Sequence, residues 1–484
     1  MAVQTLAGRR NDLRRKVAAD GIDAHQFEAY ELAWAYARAE AATATEQWAG
    51  RVGSEAARLS AEIASAEAAG RPEQGELLAA RGGLAAGTDD LGASEEHRLL
   101  RSSMREFAER EIRPLAQDVH RGDLDIPDSI VAGAAGLGLF GLSVPERYGG
   151  SAGPAPDHAA MLIVTEELAR ASLAAGGSLI TRPEILIRAL LSAGTEEQKR
   201  GLLPAIASGQ KLVAVAVTEP DAGSDVARVQ CRASRAPDGG WRVDGSKLWC
   251  TWAGRCELLM LLCRTSGEGH RGLSLFVAEK PAFPGHEFEH RQPGGGLLRG
   301  RAIPTIGYRG MHTFDLQFQG YALPKRALIG AEGRGFYLQM EGFSVGRLQT
   351  AARGIGVLQA AYENARAYVG ERTVFGRRVL DYQLPRAMLG RIAARLDASR
   401  RLAYHAATLM DQGEGQMEAS LAKLYACRCA ELGTRDAMQL FGGMGYGEET
   451  AVSRHFVDAR VLTIFEGAEE VLALRVIAKA LLEV

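Results

Sequence analysis

Val217-Thr218-Glu219-Pro220-Asp221-Ala222-Gly223-Ser224-Asp225 is the stretch on which the reading of this chain turns. It follows Leu212-Val213-Ala214-Val215-Ala216-Val217, a short β-prone run in which helical periodicity gives way. Further strand candidates come after it at Trp241-Arg-Val243, Leu258–Cys263, Leu273–Ala278 and Phe314–Phe318, separated by Gly and Pro turns. Upstream the pattern is helical. Ser94 with Glu95 and Glu96 opens a segment whose Leu99, Leu100, Met104 and Phe107 form an apolar face. The turn-rich Val144–Gly150 interrupts it, and helices resume over Ala159–Ala171 and Glu184–Ala193. Another short one opens at Gly194–Lys199 and ends before Gly209. After Gly335 the chain is helical almost to Val484. Helices, then strands, then helices is not a Rossmann sheet, which would need the two to alternate.

The bulk numbers leave room for this. At 484 residues the chain has material for roughly two to four domains and a core that needs no staple. A formal net charge of -2 gives no electrostatic case for nucleic acid or an anionic membrane. Cys231, Cys250, Cys256, Cys263, Cys427 and Cys429 match no zinc-ligand spacing and read as reduced thiols. The opening MAVQTLAGRRNDLRRK lacks the apolar run of a secretory signal, and no stretch reaches the ~18 apolar residues of a spanning helix. A cytoplasmic protein with no membrane insertion and no metal is expected.

Residues 1–92 form an Ala-rich leader. Tyr30, Leu32, Ala33, Tyr36 and Ala37 recur at helical spacing, and Thr43–Ala69 is also helix-prone. Arg81-Gly82-Gly83 and Ala86-Gly87-Thr88-Asp89-Asp90 read as a linker. The leader carries no catalytic constellation, so packing against the rest of the chain or a partner subunit is its expected work.

On chemistry alone, Val217–Asp225 is either a surface turn or a cradle of hydroxyls and backbone N–H groups for a polar cofactor. Other segments accompany it in order: Gly245-Ser-Lys247-Leu-Trp249-Cys-Thr251, Gly307-Tyr-Arg-Gly310-Met, Leu323-Pro324 and Gly333-Arg-Gly335-Phe336. Then come Glu371-Arg372-Thr-Val-Phe375-Gly376, Gln439-Leu-Phe-Gly442-Gly443-Met-Gly445-Tyr446 and Ile464-Phe465-Glu466-Gly467. Each is weak singly, but the ordered series over residues 94–484 resembles the acyl-CoA dehydrogenase family. The resemblance implies a mainly α fold with a central β domain. Its parts are a helical domain over 93–211, a β-barrel-like middle domain over 212–332 and a C-terminal helical bundle over 333–484, with 1–92 as a helical extension.

It also implies FAD. Val217, Thr218, Ser224, Trp249 and Thr251 match positions that hold the isoalloxazine and pyrophosphate, Thr251 toward the flavin N5 region. Arg372, Phe375, Gln439, Gly442 and Gly443 match positions that hold the adenosine diphosphate half across a subunit interface, which requires a homodimer or a dimer of dimers. A guanidinium forks onto phosphate, and glycine lets backbone approach it; read without the family, Arg372 is a solvated helix charge. An electron-transfer flavoprotein is the implied electron acceptor, with oxygen left open.

Glu466 matches the base that removes the α-proton of an acyl-CoA thioester, with a backbone N–H at the base polarising the thioester oxygen. From spacing alone Glu466 is an acidic first-turn residue like Glu469 and Glu470, near a C-terminal helix striped by Val471, Leu474, Ile477 and Leu481. The base position that some relatives use on the helix after the Gly-Arg-Gly-Phe entry falls at Gly346, which cannot serve. Arg347 and Gly467 match substrate-side positions, as does Ser224. Ser178-Leu-Ile-Thr181-Arg182-Pro183-Glu184 lies where the family lines its acyl pocket. A cation there is unexpected for a plain alkyl tail. Either Arg182 meets a carboxylate on a short, branched or dicarboxylic thioester, or it faces solvent or pairs with Glu184. A monocarboxylic short-chain substrate is the second enzyme reading. A flavin-holding relative with a binding or nucleic-acid role is the third, and it leaves Glu466 without purpose.

Overall fold

A computed structural model describes residues 2–71, 74–75, 78–79 and 94–483, with no side-chain account before Leu6. The expected glycine linker at 81–83 and 86–90 lies outside the described residues. The chain divides into two compact units, each built from separated segments. One combines Met1–Gln117, Asp157–Gly177 and Arg347–Val484; the other combines Asp118–Pro156 and Ser178–Gly346.

Before the sheet run α1 (Ala2–Asp20), α2 (Gln26–Val52), α3 (Glu55–Ala68), α4 (Glu95–Phe107), α5 (Arg113–Gly122), α6 (Asp128–Gly136), α7 (His158–Ala171), α8 (Thr181–Ala193) and α9 (Glu196–Ala207). Their starts follow capping chemistry. Ser94 Oγ accepts from His97 N, Asp157 from Ala160 N, and Thr195 with Gln198 closes a capping box, a set of contacts each worth about 1 kcal/mol. Two expectations need correction. The helix-prone Thr43–Ala69 is broken, because Gly53 adopts φ +70° and Ser54 caps a new helix. Leu99 is 65% exposed, so only Met104 and Phe107 of its proposed face are buried.

The β-containing unit holds β1 (Val213–Ala216), β2 (Arg232–Arg235), β3 (Trp241–Thr251), β4 (Leu258–Arg264), β5 (Leu273–Glu279), β6 (Glu287–Arg291), β7 (Leu297–Ala302), β8 (Thr313–Leu323) and β9 (Leu328–Ile329). They form one largely antiparallel sheet in the order β6-β7-β8-β3-β2-β4-β5-β9, with β1 parallel to β4. The apolar run Leu258–Cys263 of β4 is explained by its two buried faces. Leu258, Met260 and Leu262 pack with Ile185, Leu186 and Leu203 of the helices, while Leu259, Leu261 and Cys263 face Trp241, Phe276 and Phe318. The sequence reading missed β2, β6, β7 and β9: charges interrupt the pattern of the first three, as in β6, Glu-Phe-Glu-His-Arg with Phe288 alone buried, and β9 is only two residues long.

In the helical unit α10 (Gly335–Glu371, its later part), α11 (Gln383–Asp411), α12 (Gln416–Phe441) and α13 (Ala451–Leu462) form the bundle, with a two-stranded hairpin at Thr373–Val374 and Arg377–Arg378. The leader is part of this body: α2 packs on α3, α11, α12 and the terminal helical segment 469–482. Trp48 lies under the Arg401 guanidinium at 3.9 Å, and Ser60 Oγ donates to Asp397 Oδ2 at 2.7 Å. A buried charge network ties α4 and α7 to α11. Glu166 accepts from Arg400 Nη2 at 2.6 Å and Arg101 Nη1 at 3.2 Å, and Glu167 takes Arg101 and Arg105. The expected terminal stripe is shifted. A π-helical turn at Leu472–Ala478 rotates the register, burying Leu472, Ala473, Ile477, Ala478, Leu481 and Leu482 and leaving Val471 and Leu474 half-buried. All six cysteines are buried and free. No helix of the described residues is long and apolar enough to cross a membrane.

Candidate active site

In the β-containing unit the Val217–Asp225 segment turns back on itself. Glu219 N and Ala222 O, and Ala222 N and Glu219 O, bond reciprocally. Its rigidity comes from inside. The Glu219 carboxylate accepts from Gln230 N (2.7 Å), Cys231 N (2.8 Å) and the wholly buried Lys247 Nζ (2.8 Å), which also donates to Val217 O. This pair was not foreseen. A lysine among inward-pointing strand residues, with a glutamate in the adjacent turn, was the available signal.

Leu248 N donates to Thr218 O at 2.8 Å, so the turn and β3 are joined beside Trp249. The β3–β8 register slips between Lys247 and Cys250. Within that irregularity Trp249 sits at φ +60° with its side chain 54% exposed, as a bulge re-aims a side chain. Two residues on, Thr251 Oγ1 lies 2.9 Å from Thr313 Oγ1. When it accepts there, its own proton is free for a second acceptor. Val217 is buried, Thr218 half-buried and Ser224 exposed. A backbone-rich turn, an outward indole and a threonine hydroxyl thus gather at one place, a set that suits the flat ring of a flavin.

The same unit contains the Ser178–Ile185 run at the start of α8. Thr181 is fully buried and its Oγ1 has no partner among the described residues. Arg182 is 6% exposed, so it does not face solvent. Glu184 does not pair with it either, because Glu184 accepts from Arg188 Nε at 2.8 Å. Instead Arg182 Nη1 donates to Ser178 O (3.3 Å) and Tyr308 Oη (2.9 Å) and lies against Met311. Among the described residues no carboxylate lies within ion-pair distance of this buried cation.

The helical unit carries the other residues. Glu466 lies in the turn between α13 and the terminal segment, at φ +54° with Gly467 at φ +96°. It is not a first-turn residue. That position belongs to Glu469, which is buried and paired with Arg428. Glu466 is half-buried, and its Oε2 is buried without a partner among the described residues. Lys423 Nζ fixes the turn by donating to Gly467 O at 2.7 Å. Burial pushes the Arg347 and Lys423 pKa values below their ordinary ranges, and the Glu466 charge opposes that in both. The carboxylate therefore stands near two cations without being bonded to either: Arg347 Nη1 reaches Ser420 Oγ at 3.4 Å.

Arg372 and Phe375 occupy the small hairpin, whose turn residues Phe375 and Gly376 have φ +48° and +75°. Phe375 is 95% exposed at a backbone angle that β-turns normally give to Asn or Gly. Gln439, Gly442 and Gly443 end α12 and are exposed; open space surrounds a Cβ built at either glycine. Tyr368 stacks on Phe441 at 4.1 Å between ring centroids, bringing the hairpin base and the end of α12 together. A guanidinium, an outward ring and bare backbone on one surface fit an adenosine diphosphate.

Residues 94–210, 214–321 and 333–482 match, in turn, the profiles described as acyl-CoA dehydrogenase N-terminal, middle and C-terminal domains. A (2S)-methylsuccinyl-CoA dehydrogenase of Cereibacter sphaeroides is 35% identical over 98% of this chain and 95% of its own. The mitochondrial short-chain specific acyl-CoA dehydrogenase of Bos taurus is 32% identical over 78% of this chain and 88% of its own. Among solved structures, butyryl-CoA dehydrogenase from Megasphaera elsdenii superposes with a TM-score of 0.75, at 28% identity, covering 81% of this chain and all of that one. A glutaryl-CoA dehydrogenase solved with glutaryl-CoA gives 0.73, at 30% identity, covering 81% and 97%. With three contiguous domain matches and identities of this length, the chain belongs to the acyl-CoA dehydrogenase family and is an FAD-dependent oxidoreductase.

Proposed function

We propose that this enzyme introduces an α,β-double bond into a short, branched dicarboxylic acyl-CoA, (2S)-methylsuccinyl-CoA, giving mesaconyl-CoA, with Glu466 as the base. The buried, unpartnered Glu466 oxygen carries the reading. A carboxylate oxygen held out of water, without a partner among the described residues, has an acceptor site available for a proton. Glu469 and Glu470, by contrast, are paired or exposed.

Glu466 removes the α-proton and keeps it on its carboxyl. Arg347 and Lys423 set two cations near the carboxylate, and Gly467 gives the turn the backbone freedom to present it. FAD, when bound, supplies the acceptor for the β-hydride. Val217, Thr218, Ser224, Trp249 and Thr251 hold its ring end. Arg372, Phe375, Gln439, Gly442 and Gly443, all but the first two on one glycine-rich helix end, hold the nucleotide of a partner subunit in a homodimer or dimer of dimers. Ser224 and Gly467 also contact the thioester. The substrate choice rests on Arg182 with Thr181: a buried guanidinium without an anion is costly unless a ligand brings one. The methylsuccinyl-CoA relative and the glutaryl-CoA complex of another relative support a dicarboxylic substrate. Reduced enzyme passes electrons to an electron-transfer flavoprotein, in keeping with a relative named as part of such a complex.

Anaerobic mixing of the purified enzyme with methylsuccinyl-, butyryl- and isobutyryl-CoA tests this. Flavin bleaching fastest with methylsuccinyl-CoA, abolished in Glu466→Gln with FAD retained, is expected. Full-speed product formation by Glu466→Gln would overturn the assignment of the base. Faster bleaching by butyryl-CoA would shift the substrate to the monocarboxylic class.

A further inference from the structure

The turn that bears Glu466 is closed at its far end by Glu469, whose backbone N donates to Thr463 O at 3.0 Å. Two consecutive residues at positive φ, the first of them not a glycine, make this turn strained. Such a conformation persists only where its surroundings fix it. Three contacts do so from the bundle: Lys423 Nζ on Gly467 O, the Arg353 guanidinium over the Phe465 ring at 4.6 Å, and Arg428 on the Glu469 carboxylate.

The fourth comes from the leader. Tyr30 on α2 donates its hydroxyl to Glu469 Oε1 at 2.5 Å. Burial, and after it Glu469, raise the Tyr30 pKa, so the phenol keeps the proton it donates. Trp34, one helical turn on, lies 5.5 Å from the Arg428 guanidinium that shares the same carboxylate. Arg428 Nη2 also reaches Tyr30 Oη at 3.4 Å. One face of α2 therefore completes the coordination of a carboxylate three residues beyond the base. The helix is itself pinned further along by Trp48 and Arg401.

We infer that the N-terminal leader is a positioning element for the proton-abstracting carboxylate, acting through Tyr30 on Glu469. This rests on Glu466 being the base. Tyr30 is a positioning residue: it acts on Glu466 only through the turn. Losing its hydroxyl leaves one Glu469 oxygen short of a donor, lets Arg428 relax, and frees the 463–469 turn to shift. A displacement of a fraction of an ångström at Glu466 slows proton abstraction while leaving thioester binding alone.

The test uses the FAD-loaded, full-length enzyme with butyryl-CoA and methylsuccinyl-CoA, each also deuterated at Cα, and follows flavin bleaching anaerobically. For Tyr30→Phe the expected result is a rate about tenfold lower, KM within about twofold, a larger α-deuterium isotope effect, and unchanged FAD content and Tm. Glu469→Gln, which keeps the shape and loses the charge, should reproduce the effect, and a double variant should be no worse than either. If Tyr30→Phe loosens the leader, Glu469→Gln decides the matter through its isotope effect. Wild-type rate and isotope effect in both variants would overturn the inference, as would a fall in Tm with no kinetic change. Glu466→Gln separates the two readings: if it is inactive while Tyr30→Phe is normal, only the positioning role fails, whereas an active Glu466→Gln removes the base on which that role depends.

Discussion

Lys247 Nζ, wholly buried in β3, donates to Glu219 Oε1 at 2.8 Å and so locks the Val217–Asp225 turn onto the strand that carries Trp249. Glu219 uses its other contacts on Gln230 N and Cys231 N, so the carboxylate organises backbone on both sides of the turn. Removing one member of such a pair strands the other charge, which typically costs about 3–5 kcal/mol. Lys247→Met is expected to lower Tm sharply and to yield protein depleted in flavin, read from the flavin-to-protein absorbance ratio. Adding Glu219→Gln should restore part of both, because the stranded charge is then gone. Equal flavin content in Lys247→Met and wild type would show that the pair does not shape the cofactor turn.

In the proposed function Arg182 is the residue that would separate diacid from monoacid substrates. Among the described residues its guanidinium meets neutral acceptors alone, Ser178 O, Tyr308 Oη and Met311 Sδ, and the hydroxyl of Thr181 beside it has no partner. Arg182→Ala should lower kcat/KM for methylsuccinyl-CoA by about 100-fold, the order expected for losing a buried charge partner, and leave butyryl-CoA nearly unaffected. Arg182→Lys should recover little, since one ammonium cannot reproduce the fork. An unchanged ratio between the two substrates in Arg182→Ala would remove the carboxylate-reading role.

Asp397 gives the leader contact a pH dependence. Burial pushes its carboxyl up to about 6, against the attraction of Arg400 and Arg401 and the Ser60 hydrogen bond. Because the folded pKa lies above the unfolded one, this group favours the fold most below pH ~4, and that contribution is lost as pH rises through about 6. Asp397→Asn is therefore expected to raise Tm at pH 7.5 and to give a smaller gain at pH 5. A gain that is the same at both values would show that titration of Asp397 is not its source.

The legible parts of this protein were those set by local chemistry. Ser94, Thr195 and the apolar β4 announced themselves because capping and two-sided burial leave direct marks on sequence. Strands such as β6 were illegible, since one buried residue among charges carries no alternation. Glu166 and Glu167 were illegible for the opposite reason: two acids in a helix look like a solvated face until Arg101 and Arg400, 65 and 234 positions away, are brought to them. Leu99 failed because amphipathic spacing marks a face without saying how wide its buried part is. Glu466 was visible only as a member of an ordered series. Its strain, its orphaned oxygen and its link through Glu469 to Tyr30 belong to long-range contacts that spacing does not encode.

Glu166 makes the strongest claim on acid stability. It is fully buried, and although burial alone would raise its pKa, Arg101 and Arg400 outweigh that and hold it at about 2. A folded pKa below the unfolded value means stability that is present above about pH 4.5 and is lost as pH falls toward 2. Glu166→Gln keeps the volume but takes from the buried Arg400 guanidinium its carboxylate partner and leaves Arg101 with Glu167 as its carboxylate partner. It should unfold at much lower urea than wild type at pH 7. The gap should narrow at pH 3.5, where the wild-type carboxylate is itself being lost as protonated chains unfold. Because Glu167 still pairs with Arg101 and Arg105, the helical unit should remain folded in the variant, so that the comparison is between two folded proteins. A gap independent of pH would mean that the cost of Glu166→Gln is one of packing, and that the three charges contribute no net electrostatic stability.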